Sequence, residues 1–339
     1  MLPPLSVKPD IIALFSQGLD SILAVRIIQR QGLKVHALKF ISPFFGYEIK
    51  HHELQFRERM KLEYGIELSI IDLTDDYLEM LGQPQFGYGK NFNPCLDCKL
   101  MMLEKAREIA QEWRAAAIIT GEVVGQRPFS QRRDTMHRLE KLSRTEGLLL
   151  RPLSAKLLPP SQAEGLGIVD REQLFAYSGR SRKLQIALAQ KLGISNYPNP
   201  AGGCLLTDPG FAARLKTIYH RDITASDINL LKYGRFYPLA TAGDFIIVGR
   251  HQRDNQRLLE TAAADHFILH AAEIPGPVAV LRGGPENLEA AAEKICRHSR
   301  AQTLPRVTIN WRRGKHCDSL TIAWRQKTHT TIEENPDER

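Results

Sequence analysis

The chain is poor in cysteine, with five in 339 residues. So few, and an odd number, exclude a disulfide scaffold and suit a reducing compartment, where closely spaced cysteines hold metal or do chemistry. No run approaches 18 apolar residues, so no membrane-spanning helix is expected. The first ten residues hold three prolines and no apolar leader core, so no secretory signal is expected and a cytoplasmic location is. Internal repeats and low-complexity tracts are absent, which leaves no basis for a solenoid or a collagen-like chain. Acids are in deficit, 38 against 46 Lys and Arg, for a net charge of +8. That balance is compatible with a nucleic-acid partner. What is there is ordinary for a globular chain: 43% hydrophobic and 25% charged residues. The length exceeds what single cores usually sustain, so two or three domains are expected.

The first 150 residues alternate short apolar runs with helical patterns. Strands are expected at residues 10–15, 35–40, 66–73, 115–120 and 148–150. Helices are expected at 22–32, 51–64 and 97–113, and a Gly-, Pro- and Asn-rich loop at 82–94. Such alternation means a parallel sheet with helices on both faces, binding ligands beyond the carboxyl ends of its strands. Residues 159–194 read as mainly helical, 196–203 as a turn-rich segment and 211–231 as one helix. Strands at 245–248, 266–270, 278–281 and 307–311, with a helix at 287–298, form a separate α+β unit joined near Thr224. Residues 331–339 read as a disordered tail.

Ser16-Gln17-Gly18-Leu19-Asp20-Ser21 lies between the first strand and the first helix. A loop there turns backbone N–H groups and a helix N-terminus toward an anion, which favours phosphate. The serines add hydroxyls, and Asp20 could hold Mg²⁺, a hard cation that takes oxygen ligands. An ordinary turn with Asp20 or Ser21 capping the helix reads equally well from spacing alone. The segment resembles the S-G-G-x-D-S pyrophosphate loop of the PP-loop ATPases, with Gln17 in place of the first glycine of the pair. Further on, Thr120-Gly121-Glu122-Val123-Val124-Gly125-Gln126, with Ser130-Gln131, resembles the T-G-E-x-x-G-Q…S-Q segment of the tRNA 4-thiouridine synthetase family. Leu150-Arg151-Pro152-Leu153 resembles that family's L-R-P-L. The likeness covers about 155 residues. It implies a HUP-like, Rossmann-like α/β domain that adenylates its substrate, with ATP contacts at Ser16, Gln17, Gly18, Asp20, Ser21, Phe40, Gly121 and Gln126.

Asn93-Pro94-Cys95-Leu96-Asp97-Cys98 sets two thiols at C-x-x-C spacing on a helix start, a setting that favours thiolate. Cys204 follows a second glycine-rich stretch, Ala201-Gly202-Gly203. Three readings suit the trio. One is a [4Fe–4S] cluster with one open iron. Another is a zinc site with one open position. A third is a persulfide on one cysteine resolved by another. A C-x-x-C helix start with Cys204 buried elsewhere is the structural alternative. The pattern is similar to the tRNA 2-thiolation enzymes of the same superfamily, which implies the cluster first and the persulfide second. Cys296 reads as a helix residue and Cys317 as part of a basic turn. His51 and His52, adjacent and so splayed about 100° apart on a helix, read as surface.

Residues 127–156 hold eight Lys or Arg and three acids, with Arg127, Arg132 and Arg133 directly after the glycine-rich segment. Residues 297–327 hold eight Lys or Arg and one acid, Asp318, with Trp311 and Trp324 among them. Such cations supply salt-dependent affinity for a phosphate backbone, and aromatics can stack on unpaired bases. A solvated basic face with core tryptophans fits the same residues. Phe245-Ile-Ile-Val-Gly249-Arg250, then Asp254-Asn255, Leu258, His270 and Pro275-Gly276, resembles the RNA-binding domain of the NFACT ribosome-quality-control proteins, with His251 in place of the usual Asn. That likeness implies RNA contacts at Arg250, Arg253 and Asn255.

Together these readings give a PP-loop domain at 1–160, a connecting segment carrying Cys204 at 161–222, an RNA-binding domain at 223–330 and the tail. The expected activity is ATP- and Mg²⁺-dependent thiolation of a tRNA uridine, with Asp20, Cys95, Cys98 and Cys204 as catalytic residues. Its partners are tRNA and a sulfur donor: sulfide, a cysteine desulfurase or a carrier protein. The rivals are a PP-loop ligase acting on a small molecule, and a non-catalytic RNA-binding protein with a degenerate ATP loop.

Overall fold

In the computed structural model the chain forms two compact units, Met1–Gly89 with Asn93–Gly203, and Lys90–Phe92 with Cys204–Arg339. The structure describes residues 8–89, 91–128, 130–198, 204–219 and 223–323. Trp324, the tail and the Ala201-Gly202-Gly203 stretch lie outside them. No described helix is long and apolar enough to cross a membrane.

The first unit is built on β1 (Ile11–Leu14), β2 (Val35–Ile41), β3 (Glu67–Asp72), β4 (Ala117–Thr120) and β5 (Leu149–Leu150), in the order β3-β2-β1-β4-β5. All pairs are parallel, with Ile11 opposite both Val35 and Ala117. Its helices are α1 (Leu19–Gln29), α2 (Glu53–Tyr64), α3 (Thr74–Gly82), α4 (Cys95–Trp113), α5 (Arg133–Ser143), a short α6 (Gln162–Gly165) and α7 (Lys183–Lys191). Alternate residues of each strand face opposite sides of the sheet. Ile11, Ala13, Val35 and Ala37 pack with Ile22 of α1, Met60 of α2 and Leu188 of α7. Ile12, Leu38, Phe40 and Ile118 pack with Leu103 and Ile109 of α4 and Leu139 of α5. Both faces are therefore covered, as a parallel sheet requires.

The second unit contains α8 (Pro209–Ile218), α9 (Ala225–Leu230), β6 (Arg235–Pro238), β7 (Phe245–Val248), α10 (Gln252–Thr261), β8 (Phe267–Ala271), β9 (Ala279–Arg282), α11 (Leu288–Arg297), β10 (Arg306–Arg313) and β11 (His316–Ala323). Its six strands run in the order β11-β10-β8-β9-β7-β6, and every pair is antiparallel. One face packs on α11 through Ala291, Ile295 and the buried Cys296.

The expected helix at 211–231 is two helices. Asp208 caps α8, accepting from the Phe211 N–H at 2.7 Å, and Pro209 sits in its first turn. Thr224 and Asp227 then form a capping box that starts α9. That pairing of hydroxyl and carboxylate begins a new helix rather than continuing an old one. Cys317 lies on β11 and not in a turn. Helices α3, α5 and α10 and strands β6 and β11 were not expected. His51 and His52 are exposed, as read.

His36 on β2 is buried, with Nε2 2.9 Å from Ser69 Oγ and its ring edge-on to Trp113. Burial pushes its imidazole down to about 4. An unfolded chain takes up that proton near pH 6.5, so stability present above that pH is lost as pH falls toward 4. The loss attributable to His36 reaches roughly 2 kcal/mol by pH 5. Urea melts of wild type and His36→Leu at pH 7 and pH 5 check this. The variant should lack that part of the acid sensitivity, and an equal pH dependence in both would contradict it.

Candidate active site

The site forms where β1 and β4 end side by side. Ser16 Oγ accepts from the Gly18 N–H at 3.3 Å and lies 3.2 Å from Ser21 Oγ, which donates to the Gly18 carbonyl at 2.8 Å. Helix α1 begins at Leu19 with no side-chain cap, so its first N–H groups are left to a ligand or solvent. Gln17 sits at φ 72°, the left-handed region. The expected departure is thus one of residue and not of backbone: Gln17 takes a conformation that glycine would take without strain, at a cost of about 1 kcal/mol. Below the loop, Lys39 of β2 is 8% exposed and donates from Nζ to the Ser16 carbonyl at 3.2 Å. Burial pushes its ammonium down to about 8.

Gly121 explains how β4 meets this loop. A Cβ there would lie 2.4 Å from both the Asp20 carbonyl carbon and the Ser21 nitrogen. The sequence suggests close approach to a nucleotide, whereas the structure shows close approach to the first turn of α1. The contact brings Gln126 to Asp20, and Gln126 Nε2 donates to Asp20 Oδ2 at 3.0 Å. The other carboxylate oxygen, Oδ1, is buried and, among the described residues, without a hydrogen-bond partner. Burial raises the Asp20 pKa, while the Gln126 hydrogen bond and the charges of Arg182 and Arg127 pull it back down. A hard cation is the complement of an orphaned carboxylate oxygen, so the residues fit Mg²⁺.

Glu122 follows as a hub. It pairs with Lys99 of α4 and accepts from Arg151 Nε at 3.0 Å. Arg151 is 4% exposed and also pairs with Glu140 of α5. The L-R-P-L arginine therefore ties the end of β5 to β4 and α5 instead of reaching toward solvent. Ser154 Oγ accepts from the Val124 N–H at 3.1 Å and donates to the Tyr177 carbonyl at 2.7 Å. Residues 175–179 are thereby stitched to the same rim, a connection invisible in the spacing of motifs.

Cys95 and Cys98 occupy the first turn of α4. Cys95 is exposed and its Sγ lies 3.1 Å from Asn93 Oδ1, while Cys98 is half-buried. Asp97 between them accepts from the Phe86 N–H at 3.2 Å, anchoring the preceding loop to the helix. Lys99, the next residue, also donates to the Ser130 carbonyl at 3.1 Å. Cys204 belongs to the second unit, where its carbonyl accepts from Thr207 Oγ1 at 2.6 Å. No cluster of three or more His, Cys, Asp or Glu side chains able to hold a metal ion occurs among the described residues. Cys95 and Cys98 fall in the first unit and Cys204 in the second.

Of the remaining expected residues, Phe40 is 6% exposed, its ring in the core beside α4. Arg127, Arg132 and Arg133 are exposed, and Arg132 pairs with Asp134 at 3.3 Å. In the second unit Arg250 pairs with the buried Asp254 at 2.8 Å, and Arg253 is exposed. Asn255 is a brace: its Oδ1 accepts from the Val278 N–H at 3.0 Å, and its Nδ2 donates to the Gly276 carbonyl at 3.3 Å. Trp311 packs edge-on to Phe267, half-buried against the core. Arg182 was not expected at all. The run Ser178-Gly179-Arg180-Ser181-Arg182-Lys183, with three cations around one glycine, is the signal that could have found it.

Residues 6–156 match the family described as thiamine biosynthesis protein (ThiI). Residues 239–334 match the NFACT protein RNA binding domain. The chain is 30% identical over 127 residues to a probable tRNA sulfurtransferase of Thermoanaerobacter sp. (strain X514), an overlap spanning 36% of this chain and 32% of that protein. It is 26% identical over 155 residues to a tRNA sulfurtransferase of Aeromonas hydrophila subsp. hydrophila, spanning 44% and 30%. The matched part is thus about a third of each curated relative. Among solved structures, a 4-thiouridine synthetase–RNA complex with bound ATP aligns over 56% of this chain and 42% of its own, at 21% identity and a TM-score of 0.39.

Gly121→Ala should cost the first unit about 2 kcal/mol or more by forcing β4 off α1. Gln17→Gly should leave stability unchanged or raise it by up to about 1 kcal/mol. Denaturant melts of both variants measure this. Wild-type stability in Gly121→Ala, or a loss of stability in Gln17→Gly, would refute the packing described.

Proposed function

We propose that the chain is an ATP-dependent tRNA sulfurtransferase acting in the cytoplasm. The match of residues 6–156 to the ThiI family and the names of the relatives support the reaction class. The observation that carries the reading is Asp20: a carboxylate on a phosphate-type loop, one oxygen held by Gln126 and the other buried without a partner among the described residues. Gln17 keeps the left-handed backbone, which argues against a degenerate loop.

Bound Mg²⁺ would supply charge neutralisation on the triphosphate, held by Asp20 Oδ1. The open N–H groups of α1 and the exposed Ser16 hydroxyl would bind phosphate oxygens. Their contribution is positional and electrostatic, since they are set before the substrate arrives. A uridine carbonyl oxygen attacks the α-phosphorus and pyrophosphate leaves, making AMP the next leaving group. Sulfur delivery suits the two thiols of α4. A persulfide on one of them, loaded by a partner that carries sulfane sulfur, places its terminal sulfur on the activated carbon, and AMP departs. The second thiol then attacks the sulfur still joined to the enzyme. A disulfide forms, the thiouridine is released, and an external thiol must reduce the disulfide before the next turnover. The NFACT-like region of the second unit would hold the tRNA, with Arg253 an exposed cation available to its backbone.

Nucleoside mass spectrometry of tRNA tests this reading. A strain lacking the gene should lose a thiouridine that the wild-type gene restores and that Cys95→Ser and Cys98→Ser do not. An unchanged nucleoside profile in the deletion strain would overturn it.

A further inference from the structure

The loop before α7 belongs to the rim of the site. Val124 forms a parallel bridge with Ser178, and the Gly179 N–H donates to the Val124 carbonyl at 2.8 Å. The two glycines of this junction nearly touch: a Cβ on Gly125 would meet the Gly179 nitrogen at 3.6 Å. Arg182 is the N-cap residue of α7 and, of the two cations whose charge reaches Asp20, it has the larger effect. Its Nε is buried and, among the described residues, without a hydrogen-bond partner. Three residues on, sharing its face of the helix, Gln185 is 1% exposed with both amide atoms in the same condition. Buried polar atoms left unpaired cost roughly 1–3 kcal/mol each, so their persistence points to a missing partner.

The orphans are complementary. Asp20 offers an acceptor that wants a cation, and Arg182 offers a donor that wants an anion. They have not satisfied each other, since Asp20 Oδ2 takes Gln126 and Oδ1 takes nothing among the described residues. A metal-bound phosphate carries both missing partners in one group. We propose that Arg182 binds a phosphate of the nucleoside triphosphate whose metal rests on Asp20. This rests on the ATP reading above and deepens it. An arginine suits the role because its planar, permanently charged head gives directed, charge-assisted hydrogen bonds to phosphate oxygens.

Calorimetric titration of the full chain with ATP–Mg²⁺, pyrophosphate–Mg²⁺, adenosine and tRNA tests it. Arg182→Gln should weaken ATP and pyrophosphate by about tenfold or more and leave adenosine and the ligand-free melting temperature unchanged. Arg182→Lys should recover part of the loss. Unaltered ATP affinity in Arg182→Gln would overturn the assignment. So would an equal loss of adenosine, which marks a structural role, or a loss confined to tRNA, which gives the arginine to RNA. In all three cases wild type still binds ATP, so the adenylation reading survives. A wild-type protein that binds neither ATP nor pyrophosphate ends both.

Discussion

The site depends on one steric constraint. The end of β4 lies so close to the first turn of α1 that only hydrogen fits at the Gly121 α-carbon. Parallel strands adjacent in a sheet end together, and here the loop after one crosses the helix that follows the other. Any side chain at 121 would wedge them apart. With them in contact, Gln126 reaches Asp20, and the residues between carry Glu122 to Lys99 and Arg151. The glycine is a packing residue with a functional consequence.

Electrostatics then sets what the pocket can take. The Glu122–Lys99–Arg151–Glu140 network is largely closed on itself, with charges of both signs balanced and Arg151 almost wholly buried. Breaking such a network costs more than forming it contributes, so it specifies geometry more than it adds stability. Asp20 and Arg182 stand apart from it, each with one buried polar atom unpaired among the described residues. The difference between the satisfied network and the unsatisfied pair is what sets the proposed ligand site apart from its scaffold.

Much of this was legible in the sequence. The alternation of apolar runs with helical patterns gave the parallel sheet, because period and run length follow directly from side-chain geometry. The phosphate-type loop and the C-x-x-C pair stood out, since each packs its chemistry into a few neighbouring residues. What was not legible came from contacts between distant segments. Arg151 looked like one more cation of a basic stretch until its two carboxylate partners, Glu122 after β4 and Glu140 of α5, were in place. Asn255 closes on Gly276 and Val278 across a loop, a brace that its motif does not announce. Arg182 comes to the rim through contacts between distant segments, the Val124–Ser178 bridge among them. The start of α9 was readable, because the Thr224–Asp227 capping box is a local signal, yet 211–231 reads as one helix.

The central claim is that Asp20 Oδ1 is held open for a metal bound to the nucleotide. Crystals grown with ATP and Mn²⁺, measured at the manganese absorption edge, test it most directly. The account predicts an anomalous peak bonded to Asp20 Oδ1 with triphosphate at the start of α1. Manganese bound elsewhere on the nucleotide, with Asp20 touching only Gln126, would contradict it.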